Sequence, residues 1–459
     1  MGRYDALYAR LPVAAQHGVV SVYGLYWHWL RFGPGYAQDL SAYVARDGFD
    51  KAEWLEWQQV RLRELLQIAV LHVPFYRSTW DQASKVAATD GRLDALPLLE
   101  KDPIRRDPEA FLRQDIAKPH QLIFHTSGST GTPIASIWTV KELRNSLALR
   151  EARSARWAGV SFDLPRATFS GRMVEPAADS RGPFYRFNLV ERQAYFSAFH
   201  LRPDTARHYV TALKRHRIQW LTGYAFSYYT LARFILEQQL EVPPLKAVIT
   251  TSEKLTAEMR TLMEQAYRCR VFEEYSTVEN VVFASECEAG GLHVSPDAGI
   301  VEILRPDGTP CPPGEVGEVV ATCLMRDYQP LIRFRLGDMA QWDDRACECG
   351  RGMPLLLEVT GRIEDAVVGP DGRQMVRFHG IFVEQPNVRE GQIIQEELRR
   401  IRVKVVTTNS FGAADTQDII RRVKQRLGAE VEVIVELVSE IPRTKAGKFQ
   451  AVVSLLPRN

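Results

Sequence analysis

Cysteine is scarce in this chain, with six among 459 residues. That density is far below a disulfide-stapled scaffold, and a reducing cytosol is the expected compartment. An excess of charge of one sign is also missing: 58 basic side chains against 56 acidic ones leave a formal +2. There is no basic footprint for nucleic acid and no acidic tail. The opening residues lack the basic-then-apolar order of a secretory leader. Leu11 to Leu30 carries no formal charge, but Gln16, His17, Gly18, Ser21, Gly24 and His28 interrupt it. It falls short of a spanning helix and reads as an amphipathic or buried N-terminal segment of a soluble protein. No internal repeat or low-complexity tract is present.

What is there is ordinary globular usage, 45% hydrophobic and 25% charged, enough for a large core and for about two to four domains. Trp54, Trp57, Leu62, Leu65, Leu66 and Ile68 recur near helical spacing, so Asp50 to Leu71 is expected as helix, ended by Val73-Pro74. Thr205 to Arg215 is a second. Ala247-Val248-Ile249 and Val319-Val320-Ala321 read as buried strands among helices, which argues α/β. Arg305-Pro306-Asp307-Gly308, Pro310 to Gly317 and Gly369-Pro370-Asp371-Gly372 are turn chemistry. Near the C-terminus, Ile401, Val403 and Val405 alternate with basic residues, and Val431, Val433, Val435 and Leu437 alternate further on. A helix from about Thr416 to Leu427 lies between, with Asp415 or Thr416 as N-cap and Gly428 as its stop. This predicts a small α+β unit whose boundary lies near Gly361–Asp365.

Five short segments carry chemistry. His125-Thr126-Ser127-Gly128-Ser129-Thr130-Gly131-Thr132-Pro133 follows the apolar Leu122-Ile123-Phe124. Glycines let backbone N–H groups curl inward and hydroxyls add donors, which suits a polyphosphate, although no Walker lysine follows. On its own the run is equally a polar turn. Glu273-Glu274-Tyr275-Ser276-Thr277-Val278-Glu279 offers carboxylates for magnesium and a ring for adenine, or a solvated acidic turn. Leu331 to Asp338 is an apolar-basic strand ending Gly337-Asp338, where a carboxylate can accept two ribose hydroxyls. Gly361-Arg362-Ile363-Glu364-Asp365 sits at the expected boundary. Ile441-Pro442-Arg443-Thr444-Lys445-Ala446-Gly447-Lys448 puts a glycine-flanked lysine near the end.

In that order and spacing, the five segments resemble the adenylate-forming superfamily of acyl- and aryl-CoA synthetases, nonribosomal adenylation domains and luciferases, from about residue 120 onward. Pro330 to Asp338 followed by Cys347-Glu348-Cys349-Gly350-Arg351 is similar to the phenylacetate–CoA ligase branch. Arg389 to Glu396 looks like a sub-branch associated with capsular polysaccharide clusters. The resemblance implies a large multi-sheet N-terminal domain, residues 1–362 with a mostly helical cap over 1–100. A small mobile α+β domain, 363–459, carries the catalytic lysine. It implies that Thr126, Ser127, Gly128, Ser129, Thr130 and Gly131 embrace ATP phosphates, and that Glu279 holds Mg2+ while Tyr275, Ser276 and Thr277 stand by the nucleotide. Asp338 would take the ribose hydroxyls, Arg362 the ribose or phosphate edge, and Lys448 would bridge carboxylate and α-phosphate. Glu364 would occupy the hinge, in place of the usual aspartate. Ile134 stands where many relatives carry lysine, and Phe449-Gln450-Ala451 lacks the common trailing arginine.

The reaction so implied is ATP-dependent conversion of a carboxylic acid to acyl-AMP, then transfer to coenzyme A. Transfer to a carrier-protein thiol or an amine is the alternative acceptor reading, and an inactive scaffold is the reading from another class. Tyr195 to Tyr229 is rich in aromatics, and with Thr250, Thr251, Ser252 and Glu253 it lines the acyl pocket in relatives; the resemblance also counts Ser252 and Glu253 among the cofactor-binding residues. Ordinary core packing accounts for most of these rings, and His200 reads as structural. Cys287, His293, Cys347 and Cys349 have the inventory of a structural zinc site, and a similar set occurs in the resembled branch. Cys269, Cys311 and Cys323 read as buried free thiols. The assembly is left between a monomer and a homodimer.

Overall fold

The computed structural model describes residues 8, 11–125, 134–170, 174, 182–362, 367–370, 374–375, 381–382, 385–444 and 449–456. The expected first long helix runs Lys51–His72. Asp50 caps it by accepting from the Ala52 and Glu53 amides, while the Glu53 carboxylate accepts from the Asp50 amide. Its stripe of Trp54, Leu62, Leu65, Leu66 and Ala69 is buried. Val73-Pro74 ends it where the proline cannot continue the hydrogen-bond ladder.

Among the described residues, twelve strands form one large sheet. Five at its heart are mutually parallel, in the order Gln193–Ser197, Arg166–Ser170, Trp220–Tyr224, Ala247–Thr251, Arg270–Ser276. These strands are largely buried, as parallel strands covered by helices are. Helices Ala206–Arg215, Ala225–Glu237 and Ala257–Tyr267 supply the covering layer. Beyond Arg270–Ser276 the sheet turns antiparallel through Phe283–Glu286, Leu292–Val294, Leu355–Arg362, Phe334–Asp343, Gly317–Cys323 and Gly299–Leu304. The Arg305–Gly308 turn reverses the chain here, with the Arg305 amide donating to Thr309 O and Gly308 at φ +84°. At the opposite end, Tyr185–Asn188 is an antiparallel edge strand.

Helix Val13–Phe32 corrects the simple amphipathic expectation. Its buried residues are Gln16, Ser21, Gly24 and Leu30, whereas Val22, Leu25 and Trp29 are exposed. Among the described residues no helix is long and apolar enough to cross a membrane.

Toward the C-terminus, four strands stand in the order Glu432–Leu437, Arg400–Thr407, Val388–Glu397, Val452–Ser454. Ile393, Ile401, Val403, Val405, Ile419, Val423 and Leu427 make their core. The helix between starts three residues earlier than its side-chain caps suggested, at Ala413. Gly412 is the N-cap, and Asp415 reaches back to accept from its amide. Gly428 ends the helix in the left-handed region, φ +113°. Leu437 is exposed because Glu432–Leu437 is an edge strand.

Candidate active site

Strands Gln121–His125 and Ala135–Thr139 pair antiparallel, with His125 opposite Ala135. Thr126, Ser127, Gly128, Ser129, Thr130 and Gly131 lie between them and outside the described residues. The outgoing strand is anchored by Arg326, which sequence reasoning missed. Its buried guanidinium donates to Ser136 Oγ at 3.0 Å, to Ile137 O at 2.6 Å and to Glu279 O at 2.6 Å, beside the Trp138 ring. One cation therefore joins the strand leaving the polar loop to the residue expected to hold magnesium. The only sequence signal was a lone arginine closely following an apolar strand.

The nucleotide-binding expectations converge at the C-terminal ends of parallel strands, where ligands bind in open α/β sheets. Thr251 lies opposite Glu274 in neighbouring parallel strands. Ser252-Glu253 therefore leave the sheet beside Tyr275-Ser276, the last residues of the neighbouring strand. Tyr275 Oη donates to Asp338 Oδ2 at 2.8 Å, and Asp338 stands opposite Arg362 across the Phe334–Asp343 and Leu355–Arg362 pair. Glu279 is buried. Thr251 Oγ1 and Thr277 Oγ1 are buried hydroxyls without a hydrogen-bond partner among the described residues, the kind of atom a polar ligand satisfies. Ser276 Oγ donates to Glu274, which Arg150 pairs. Glu273 faces Arg260 and Glu286; burial pushes its carboxyl up to about 7, with the Glu286 charge adding and Arg260 opposing.

Glu253 accepts two amides. Oε2 takes Phe226 N at 2.8 Å, in the first turn of Ala225–Glu237, where a carboxylate is favoured. Oε1 takes Phe449 N at 3.0 Å, from the far end of the chain. The Phe226 and Phe449 rings stack at 4.1 Å. Arg443 lies 4.9 Å from each ring centroid and pairs with Glu390. Lys448 is outside the described residues, but its neighbour is fixed here. Ser252 precedes Glu253 at φ +70°.

Most rings of the expected acyl pocket are core. Phe196 and Tyr228 are fully buried and Trp220 nearly so, and Tyr228 Oη donates to Ala167 O and Thr222 O. His200 is structural: its Nδ1 sits 2.8 Å from Ser197 Oγ and its ring stacks on Phe184. Phe226 and Tyr229 remain half-buried.

Away from this site, the ligand atoms of Cys287, His293, Cys347 and Cys349 all lie within 4.8 Å of one another. Cys287 Sγ is 3.6 Å from Cys347 Sγ, and Cys349 Sγ is 3.2 Å from His293 Nε2. His293 Nδ1 lies 3.2 Å from Met353 O, which orients Nε2 toward the thiols. A side chain at position 291 would come within 2.8 Å of Cys347 Sγ; the glycine keeps the cluster closed. Trp54, Trp157 and Met353 pack around it. The cluster can hold a tetrahedral metal. Cys311 and Cys323 are buried free thiols, and Cys269 is half-buried.

Comparison with known proteins follows the same division. Residues 368–455 match the family described as the CapK C-terminal domain. The chain is 24% identical over 455 residues to Protein CapK of Staphylococcus aureus, covering 96% of this chain and 97% of that protein. It is 24% identical over 446 residues to phenylacetate-coenzyme A ligase of Thermus thermophilus, covering 87% and 96%. The crystal structure of 2-hydroxyisobutyryl-CoA ligase in the postadenylation state superposes with TM-score 0.69 at 22% identity, over 90% of this chain and 91% of that one. The same ligase in its thioesterification state gives 0.55 at 21% identity, over 89% and 91%.

Proposed function

Given a chain homologous to CapK and to phenylacetate-coenzyme A ligase, with the fold of adenylate-forming ligases, we propose that it activates a carboxylic acid with ATP and passes the acyl group to coenzyme A. A carboxylate oxygen attacks the α-phosphorus and pyrophosphate leaves, giving acyl-AMP. The coenzyme A thiol, losing its proton, then attacks the acyl carbon and AMP leaves. No protein nucleophile is required. Positioning and charge neutralisation do the work.

The observation that carries this reading is the Phe449–Glu253 hydrogen bond at 3.0 Å. It brings the residue after Lys448 to the strand ends where Tyr275 and Asp338 already meet. Lys448 would then bridge the attacking carboxylate and the α-phosphate, as an adenylation step needs. The better superposition on the postadenylation state supports the same arrangement. Asp338 takes the ribose hydroxyls, Tyr275 flanks the adenine, Arg362 reaches the ribose or phosphate edge, and Thr126 to Gly131 cradle the phosphates. Ser252, Ser276 and Thr277 add hydroxyls at the rim. Glu279 would hold Mg2+, whose charge offsets that of the phosphates. Half-buried Phe226 and Tyr229 suit an apolar or aromatic acid.

The Cys3His cluster is assigned as a structural zinc site, because all four positions would be protein ligands and none is left for substrate. A second reading keeps the same adenylation and passes the acyl-adenylate to a carrier thiol or an amine instead of coenzyme A.

The test is ATP–pyrophosphate exchange against a panel of aromatic, fatty and amino acids, with and without coenzyme A. Exchange with one acid, diverted to thioester by coenzyme A, is the expected result; exchange indifferent to coenzyme A favours the second reading. Lys448→Ala should abolish acyl-AMP formation and leave transfer from preformed acyl-AMP intact. Equal loss in both half-reactions would overturn the role given to Lys448.

A further inference from the structure

Helix Val13–Phe32 is built inside out. Gln16 and Ser21 are 3% and 9% exposed, whereas Val22, Tyr23, Leu25 and Trp29 are 69%, 59%, 60% and 58% exposed. The inward polarity answers a local demand. Tyr185–Asn188 is an edge strand of the large sheet, and an edge presents unpaired backbone groups that must be met. The helix meets them: His17 Nδ1 accepts from Phe187 N at 2.9 Å, and Ser21 Oγ accepts from Leu189 N at 3.1 Å. The Gln16 side-chain oxygen accepts from the buried Arg186 guanidinium. Rotating the helix to hide its apolar face would strand these groups, so that face stays outward.

A contiguous, uncharged patch of aliphatic and aromatic side chains marks an interaction surface. We propose that it is the two-fold contact between two copies of this chain, the helices packing antiparallel about Val22. The face is graded in size. Ala14, Ala15 and Gly18 line its first half, and Leu25, Tyr26 and Trp29 its second. Antiparallel pairing sets the small half of one copy against the large half of the other, an isologous and self-complementary fit. Gly18 is exposed and an added Cβ there would meet nothing within 4 Å, so nothing in this chain bars the partner's Tyr26 from seating on it. The helix itself carries no charge from residue 11 to residue 30; the Arg144 guanidinium lies over the Trp29 ring, 5.2 Å from its centroid, at the end of the face, where antiparallel pairing keeps the cations of the two copies apart. The exposed parts of Val19, Val22, Tyr23, Leu25, Tyr26 and Trp29 sum to roughly 700 Å², near the ~800 Å² per partner of a standard interface. A lipid surface fits less well, since helices that lie on membranes carry lysine and arginine on the polar face, and the polar face here is uncharged and spent on the edge strand.

Sedimentation equilibrium of the full chain at tens of micromolar is expected to show a dimer. Val22→Glu, which sets two carboxylates against each other at the axis, should weaken it by about 30-fold, the effect of a central hot-spot residue. Gly18→Trp should weaken it as well, by filling the seat, while the circular dichroism melt of both variants stays at the wild-type value. A wild-type monomer at these concentrations overturns the proposal, as does a dimer indifferent to both changes. Co-sedimentation with phosphatidylcholine–phosphatidylglycerol vesicles is the control. Binding lost in Val22→Glu and strengthened in Gly18→Trp would make the occupant a bilayer and refute the dimer.

Discussion

Arg326 holds its charge where water does not reach, donating to Ser136 Oγ, Ile137 O and Glu279 O, with Gln329 Oε1 at 3.5 Å and the Glu142 carboxylate at 4.0 Å. Removing the cation would strand the buried Ile137 and Glu279 carbonyls, while Ser136 Oγ keeps the Trp138 indole as a donor. Arg326→Met is therefore expected to destabilise the chain by about 3–5 kcal/mol in urea unfolding; a loss below about 1 kcal/mol would show that the network relaxes at no cost. Glu273 gives a pH-dependent counterpart. Its folded carboxyl titrates near 7 against an ordinary 4.5, so the folded state keeps a proton that the unfolded chain has already released. Stability from this group is full below the unfolded value and falls as pH rises through about 7. Glu273→Gln should remove that fall, and its melting temperature relative to wild type should climb from about pH 5 to about pH 8. A constant difference would contradict the raised pKa. Tyr275 and Asp338 were legible as candidates because ring and carboxylate chemistry suits a nucleoside. Their direct hydrogen bond was not, because 63 residues separate them and only the sheet order brings their strands near. Arg326 was illegible because nothing in a lone arginine tells a buried network from a solvated surface charge.

At the scale of elements, patterns that satisfy themselves locally were readable. Helix Lys51–His72 follows from its spacing and its Asp50/Glu53 box, and Gly428 ends its helix as glycine should. The start of Ala413–Leu427 was misplaced because Asp415 caps from inside the first turn rather than from before it. Helix Val13–Phe32 shows the limit more sharply: its polarity answers an edge strand 170 residues away, which no window of sequence contains. The contact between Ala225–Glu237 and the C-terminal segment is likewise non-local. Phe449→Ala removes the stack on Phe226 and half the seat of Arg443. Adenylation is expected to slow by about tenfold or more, with transfer from preformed acyl-AMP nearly unchanged, as single-turnover measurements of each half-reaction would read. Equal slowing of both would mean that the stack serves folding rather than positioning.

Across the whole molecule, the cysteine–histidine cluster ties distant parts of the chain together. Cys287 and His293 come from one hairpin and Cys347 and Cys349 from a loop some 60 residues on. Both pack on Trp54 of the first long helix. Clean protein should contain about one zinc per chain by elemental analysis, and Cys349→Ser should lose it and melt several degrees lower. Its pyrophosphate exchange at low temperature should persist, because the cluster stands apart from Tyr275 and Asp338. Metal-free wild-type protein with the same melting point would dismiss the zinc.

The inside-out helix also sets a timetable. It leaves the ribosome well before the strand it packs on, since its partner Phe187 follows 170 residues later. At ~5–20 residues per second that is a wait of roughly 10–30 s. Through that interval the nascent chain displays a charge-free, aromatic-rich segment with its strand not yet made. That interval of synthesis is therefore the stage at which this protein depends most on chaperones, and slowing translation between the helix and residue 185 should cost yield that the same pause after residue 200 would not.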